Sequence, residues 1–210
     1  MFILGITGGI GTGKTTVTGI LQKAGAWIID ADELSRKVTA KGMPAIAEIS
    51  DQIGKQFVVN HELNRKALSS YVFSKPDKKM IVEQIIHKYV VQSIDETISM
   101  LTKNGYEGIV VLDVPIPVQR GFIDVCTEIW VVESPMKIRL KRIMDRNGWT
   151  SEEILARMNS QMTEEEYRGL ADHVLVNDRD YQHLTSQICQ LLMLKEEDAF
   201  KAMVNKLREY

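Results

Sequence analysis

Near its start the chain reads Thr7-Gly8-Gly9-Ile10-Gly11-Thr12-Gly13-Lys14-Thr15-Thr16, residue types and a spacing suited to gripping phosphate. Gly8 and Gly13 enclose four variable positions and Lys14-Thr15 follow directly, the Walker A pattern. Glycine lets such a loop curl until consecutive backbone N–H groups converge on phosphate oxygens, and the helix that follows turns its positive dipole end toward them. Gly8, Gly9, Ile10, Gly11, Thr12, Gly13, Lys14, Thr15 and Thr16 are therefore the expected nucleotide-binding set. Lys14 is expected to reach the β and γ phosphates, and the Thr15 hydroxyl to ligate Mg²⁺.

Three further sets of residues could act on a bound triphosphate. Asp32, in Ile29-Asp30-Ala31-Asp32-Glu33, is a candidate base for an acceptor hydroxyl. The spacing Asp30-x-x-Glu33 also fits a helix-capping box, so that Asp30 can cap while Asp32 faces the acceptor. Asp113 ends the apolar run Ile109-Val110-Val111-Leu112, the place of a carboxylate that orients Mg²⁺ directly or through water; a strand-ending turn near Pro115 and Pro117 is the other reading. Arg142 and Arg146 stand four apart and would share a helix face, either gripping phosphate oxygens or lying solvated beside Asp145 and Glu152. His87 alone reads as an ordinary surface or core histidine, and Asn64 before Arg65 as an N-cap.

The elements that must position these residues follow from hydrophobic patterning. Short apolar runs at 2–7, 26–30, 109–113, 128–132 and 173–176 predict five buried parallel strands. Segment 31–108 carries apolar residues at helical spacing, including Ile81, Ile85, Val90, Ile94, Ile98 and Leu101, and predicts a helical insertion. Segment 135–170 is charged and also helical, placed to cover the phosphates as a lid. From Tyr181 onward, Leu184, Ile188, Leu191, Phe200, Met203, Val204 and Leu207 form a packing stripe. Strands alternating with helices imply a three-layer α/β/α domain with its ligand outside the carboxyl ends of the strands. The expected division is a nucleotide-binding core at 1–35, 105–135 and 168–210, an acceptor-binding insertion at 36–104 and a lid at 136–167.

Composition narrows the partners. The chain has 210 residues, a formal net charge of −2 and 44% hydrophobic residues, enough for a substantial core and without the basic excess that nucleic acid or an anionic membrane would call for. Cys126 and Cys189 have no metal-ligand spacing and read as buried thiols in a reducing cytosol. The first apolar run has no basic region ahead of it and enters the phosphate loop directly, so a cleaved signal is not expected. A guanine-reading Asn-Lys-x-Asp segment is absent from the sequence, which argues against a GTPase.

Taken together, the phosphate loop, Ile29-Asp30-Ala31-Asp32 with Arg36, Leu63-Asn64-Arg65, Val72-Phe73, Asp113-Val114-Pro115, Trp130-Val131-Val132, Arg142 with Arg146, Gln161, Ala171-Asp172 and Asn177 resemble, in order and spacing, the dephospho-coenzyme A kinases. That resemblance spans almost the whole chain. It implies a P-loop kinase that uses ATP and Mg²⁺ to phosphorylate the ribose 3′-hydroxyl of dephospho-coenzyme A, the last step of coenzyme A synthesis. It also implies that Asp32 is the base, that Arg36, Asn64, Arg65 and His87 lie toward the acceptor, and that Asn177 lies near the adenine; Asp32 and Asp113 are further candidates for contact with the acceptor. Two departures fall on the acceptor side. The family usually has His-Pro where this chain has His87-Lys88, and follows Asp-Val-Pro with two leucines, an aromatic and Glu where this chain has Ile116-Pro117-Val118-Gln119. Other small hydroxyl acceptors, such as a nucleoside, nucleotide or sugar acid, and a non-catalytic nucleotide-dependent binding role are the alternatives.

Overall fold

The structure, a computed structural model, describes residues 1–115, 117–195 and 198–208, with the side chains of 119 and 120 outside that description. It divides into two compact units, Met1–Asp30 with Thr102–Tyr210, and Ala31–Leu101.

In the first unit, β1 (Phe2–Thr7) leads through the phosphate loop into α1 (Lys14–Lys23) and β2 (Trp27–Asp30). In the second unit follow α2 (Ala31–Val38), α3 (Pro44–Gln52), β3 (Val58–Val59), β4 (Glu62–Leu63), α4 (Arg65–Phe73) and most of α5 (Pro76–Lys103). The first unit resumes with β5 (Ile109–Asp113), a π-helical turn at Gln119–Ile123, β6 (Glu128–Glu133), α6 (Met136–Asn147), α7 (Ser151–Asn159) and α8 (Glu164–Leu170). It ends with β7 (His173–Val176), α9 (Tyr181–Met193) and α10 (Asp198–Leu207).

All five expected strands form, and they make one parallel sheet in the order β2-β5-β1-β6-β7. Their bounds differ from the expectation by a residue at most. Ala26 drops off the start of β2, and Glu133 extends β6; the expectation of burial holds for the central strands but not for β2 and β7, which lie at the edges of the sheet and leave Trp27, Val174 and Val176 exposed. β1 sits in the middle, between β5 and β6, with both faces covered: Leu4 and Ile6 are completely buried on one, and Gly5 and Thr7 are buried on the other. The chain leaves β1 toward one side of the sheet and later returns to the other, so the carboxyl end of β1 is the topological switch point, where such sheets bind ligands.

The stripe from Leu184 to Leu207 is indeed core. Leu184, Ile188, Phe200, Met203, Val204 and Leu207 pack with Val17, Ile20 and Leu21 of α1 against one face of the sheet. Burial of each such aliphatic side chain contributes about 1.5–3 kcal/mol, so this layer holds α1, and with it the phosphate loop, firmly on the sheet. The cysteines are half-buried and unpaired rather than fully buried.

The second unit has its own core, in which Ala45, Ile49 and Ile53 of the α3 region meet Leu68 of α4 and Val82 and Ile85 of α5. It is helical, as expected, with one addition. Asn60 (φ 51°) and His61 (φ 62°) both adopt the left-handed conformation and turn Val58-Val59 back onto Glu62-Leu63 as a short antiparallel hairpin. Asn favours that turn, but two-residue strands leave no alternation to detect.

Candidate functional site

Because the five strands run the same way, Thr7, Asp30, Asp113, Glu133 and Val176 all end on one edge of the sheet. Register places Asp113 opposite Ile6 on one side and Asp30 on the other. The phosphate loop leaves this edge from Thr7. Gly13, at φ +98°, turns the chain into α1, and a Cβ there would collide with Asn177 Nδ2. Gly8, at φ +142°, runs so close to the Val132 carbonyl that it too has no room for a side chain.

Inside the loop the carbonyls are turned toward donors from the protein. Gly8 O accepts from Lys14 Nζ at 2.5 Å, and Gly9 O from Thr12 Oγ1 at 2.9 Å. Ile10 O accepts from Arg139 Nε at 2.9 Å. Thr12 O accepts from Asn177 Nδ2 at 2.8 Å and from Arg142 Nη1 at 3.3 Å. In a trans peptide the C=O and the next N–H point in opposite directions. Holding the carbonyls of Ile10 and Thr12 against α6 and Asn177 therefore turns the N–H groups of Gly11 and Gly13 the other way, which is how a loop is shaped to meet an anion.

Arg142 stands at the centre of this arrangement. Besides Thr12 it reaches Ser134 Oγ at 3.2 Å and Asn177 Oδ1 at 3.2 Å, while Ser134 Oγ donates to Asn177 O at 2.7 Å. Both ends of the buried Asn177 amide are thus engaged within the protein. One turn further along α6, Arg146 is exposed and donates to the neighbouring Asn147 Oδ1. Of the two arginines expected to act as a pair, the structure brings Arg142 to the loop and leaves Arg146 on the surface.

The charged segment after β6 folds into α6, α7 and α8, and two capping boxes begin the last two of these helices. Thr150 pairs reciprocally with Glu153, and Thr163 with Glu166. α8 is fastened on three sides. Glu164 Oε1 lies 3.0 Å from Arg139 Nη1, Tyr167 OH donates to Pro115 O at 3.1 Å, and Arg168 donates two parallel hydrogen bonds to the Glu133 carboxylate, 2.6 Å each. Burial pushes the Tyr167 phenol up, with Arg139 partly opposing. A groove of about 740 Å³ opens between these helices and the edge of β6, lined by Glu133, Ser134, Met136, Arg139, Gln161 and Arg168 among others.

Thr15 and Thr16 are exposed in the first turn of α1, and Asp113 is half-buried at the end of β5. Among the described residues no group of three or more His, Cys, Asp or Glu could hold a metal alone. The hard oxygens of Thr15 and Asp113 nevertheless suit Mg²⁺, which takes few protein ligands and draws the rest from phosphates and water.

In the second unit, Asp32 and Arg36 are exposed on α2, and Glu33 pairs with Lys37 at 2.7 Å. Asn64 caps α4 by accepting from Ala67 N at 3.0 Å, the role its position before Arg65 suggests. Arg65 Nη2 donates to Thr39 Oγ1 at 2.6 Å and Thr39 O at 3.2 Å, tying α4 to the end of α2. His87 is half-buried on α5. Lys88, one of the two departures, meets Glu48 Oε2 at 2.6 Å, and the same carboxylate oxygen accepts from Tyr89 OH at 2.9 Å. These two donors lower the Glu48 pKa, so Lys88 has a partner inside its own unit that joins α5 to α3. Ile116, within the second departure, lies outside the described residues, as does the side chain of Gln119.

Sequence reasoning missed Arg139, only 6% exposed, and attached no role to Ser134 or Gln161. The signal for Arg139 was its position three residues before Arg142 on one helix, which puts both guanidiniums on a shared face.

Comparison with known proteins gives a consistent result. The family model for dephospho-CoA kinase matches residues 2–183. A dephospho-CoA kinase of Carboxydothermus hydrogenoformans is 38% identical over 191 residues, covering 90% of this chain and 92% of the relative. Among solved structures, TT1252 from Thermus thermophilus is 32% identical with a TM-score of 0.75, covering 93% of this chain and 98% of that one. A dephospho-CoA kinase from Campylobacter jejuni, 24% identical with a TM-score of 0.67 over 91% of this chain and 95% of its own, shares the fold.

Proposed function

The chain belongs to the dephospho-CoA kinase family, and on that premise we propose that it transfers the γ-phosphoryl group of ATP to the ribose 3′-hydroxyl of dephospho-coenzyme A, giving coenzyme A and ADP. The observation that carries this reading is the phosphate loop at the switch point of the sheet, with its carbonyls turned toward Lys14, Arg139, Arg142 and Asn177.

Phosphoryl transfer asks little covalent chemistry of a protein and much positioning and charge stabilisation. Lys14, released from Gly8 O to the β and γ phosphates, and Arg142 would take up charge that develops as the bond to the leaving ADP oxygen lengthens. Thr15 and Asp113 would hold Mg²⁺, which when bound supplies positive charge against the phosphate oxygens. Asp32 would accept a hydrogen bond from the 3′-hydroxyl and take its proton as the new P–O bond forms. Arg36, Asn64, Arg65 and His87 would bind the acceptor, and Asn177 would border the adenine while its amide holds the loop. α6 to α8 would serve as the lid and the second unit as the acceptor-binding insertion. A cytosolic setting fits the two unpaired cysteines, and among the described residues no helix is long and apolar enough to cross a membrane.

The test is acceptor-dependent ADP release, comparing dephospho-coenzyme A with adenosine, nucleoside monophosphates and gluconate. Release with dephospho-coenzyme A well above the others supports the assignment. A preference for another acceptor would keep the kinase and overturn the substrate, and no release with any would point to a binding role.

A further inference from the structure

The amide of Ile10, in the middle of the phosphate loop, is gripped on both sides from the lid. Its N–H donates to Gln161 Oε1 at 2.8 Å, and its C=O accepts from Arg139 Nε at 2.9 Å. Gln161 stands in the turn between α7 and α8, about 150 positions later in the chain, and Arg139 on α6. We propose that Gln161 is a positioning residue for the phosphate loop: by holding the Ile10 N–H it sets the peptide plane on which the grip on the triphosphate depends. This rests on the reading of the chain as an ATP-using kinase.

The reasoning is one of successive peptide planes. The Ile10 N–H shares a plane with Gly9 C=O, which is itself held by the Thr12 hydroxyl and more loosely by Thr12 N. Gln161 therefore locks from one end a plane that Thr12 locks from the other. The next plane contains Ile10 C=O and Gly11 N–H, and Arg139 fixes it. With both planes held, the glycine-rich segment loses the freedom that would otherwise have to be given up on binding, and Gly11 N–H stays aimed away from α6. Neither bond can be made without the lid helices, so the shape of the loop is coupled to their placement. A Cβ on Gly9 would fall 2.7 Å from Arg139 Nη2 and 3.6 Å from Gln161 Oε1, which shows how closely both side chains cover the loop backbone.

Inorganic tripolyphosphate is the probe, because it reports the phosphate grip without adenine or acceptor. Gln161→Leu removes the acceptor oxygen. Leaving the Ile10 N–H unpaired should weaken tripolyphosphate binding about 5- to 50-fold and lower kcat/KM for ATP in proportion, with the melting temperature within about 2 °C of the parent, as expected for a half-exposed turn residue. Gln161→Glu restores an oxygen at the same length; because Arg139 is already paired with Glu164 and the new charge opposes the polyphosphate, it should recover part of the affinity, leaving binding clearly tighter than in Gln161→Leu. A merely structural role would move the melting temperature and would not distinguish Glu from Leu. If Gln161→Leu fails to fold, Gln161→Met, similar in length to Gln, makes the same comparison. Tripolyphosphate binding unchanged in the Leu or Met variant, or as weak in Glu as in Leu, overturns the proposal. A parent protein that binds tripolyphosphate but releases no ADP with any acceptor would overturn the kinase reading instead, so the two failures are distinguishable.

Discussion

Asn177 Nδ2 donates to the carbonyl of Thr12 at 2.8 Å, joining the residue after the last strand of the sheet to the phosphate loop that follows the first. The bond is buried, and the Asn177 oxygen accepts from Arg142, so one amide organises both the loop backbone and the arginine beside it. Gln187 of α9 holds the preceding residue by pairing with both Val176 N and Val176 O, which fixes where Asn177 emerges. Asn177→Leu should cost about 1–3 kcal/mol of stability and raise the KM for ATP. Denaturant unfolding and ATP titration check it, and an unchanged KM would separate Asn177 from nucleotide binding.

Lys14→Ala is expected to abolish turnover and leave the fold intact. The side chain donates to Gly8 O at the loop, so the loss should fall chiefly on phosphate charge. Near-normal turnover at saturating ATP and Mg²⁺, with an unchanged melting curve, would remove the phosphate-loop assignment.

Asp32→Asn should lower kcat by about 10²–10⁴, the range for loss of a positioned base, with a smaller change in ATP affinity. Asp30 ends β2 immediately ahead of α2, and Asp30→Asn should act mainly on stability. Reversal of the two effects in steady-state kinetics would exchange their roles.

Arg142 and Arg146 should prove unequal. Arg142 is bonded to Thr12, Ser134 and Asn177, whereas Arg146 is exposed beside Asn147. Arg142→Ala is expected to depress turnover about 10²-fold or more, in the range for removing one transition-state charge donor, and Arg146→Ala considerably less. Equal losses, measured as kcat at saturating ATP, would show that α6 turns Arg146 inward during the reaction.

The Cys126 thiol, beneath Phe122 and Gly5, is pushed up to about 12, chiefly by burial and further by Asp124 and Asp172. A folded pKa above the unfolded one means that the contribution to stability is complete below the unfolded value near 9 and is lost as pH rises from there toward 12. Cys126 should therefore resist alkylation at pH 8 in the folded protein and react on unfolding, with the half-exposed Cys189 labelled first. Mass mapping of the modified cysteines decides it.

Much of this protein was legible in its residues taken in order. The five strands announce themselves as short apolar runs, and the central ones, β1, β5 and β6, do so most plainly because a central parallel strand is covered on both faces, whereas the edge strands β2 and β7 are only partly buried. The phosphate loop is equally plain, since phosphate binding by backbone requires glycines at fixed offsets within one short segment. The packing stripes of α9 and α10 follow from helical periodicity. What these have in common is locality: each pattern is complete within one segment and needs no knowledge of its neighbours.

Tertiary structure decided the rest, because it depended on which distant segments meet. Nothing in the spacing of Arg142 and Arg146 could tell that Arg142 would find Thr12, Ser134 and Asn177 while Arg146 stayed outside, since both share a helix face and only the rotation and tilt of α6 against the loop separates them. Arg139 and Gln161 meet at Ile10 only because α6, α7 and α8 fold back on β6 and are fastened there by Arg168 and Glu133. Lys88 reads in isolation as a lost proline, and its partner Glu48 lies 40 positions away on another helix. Residue types state what a side chain can donate or accept; the fold determines what stands within 3 Å of it to do so.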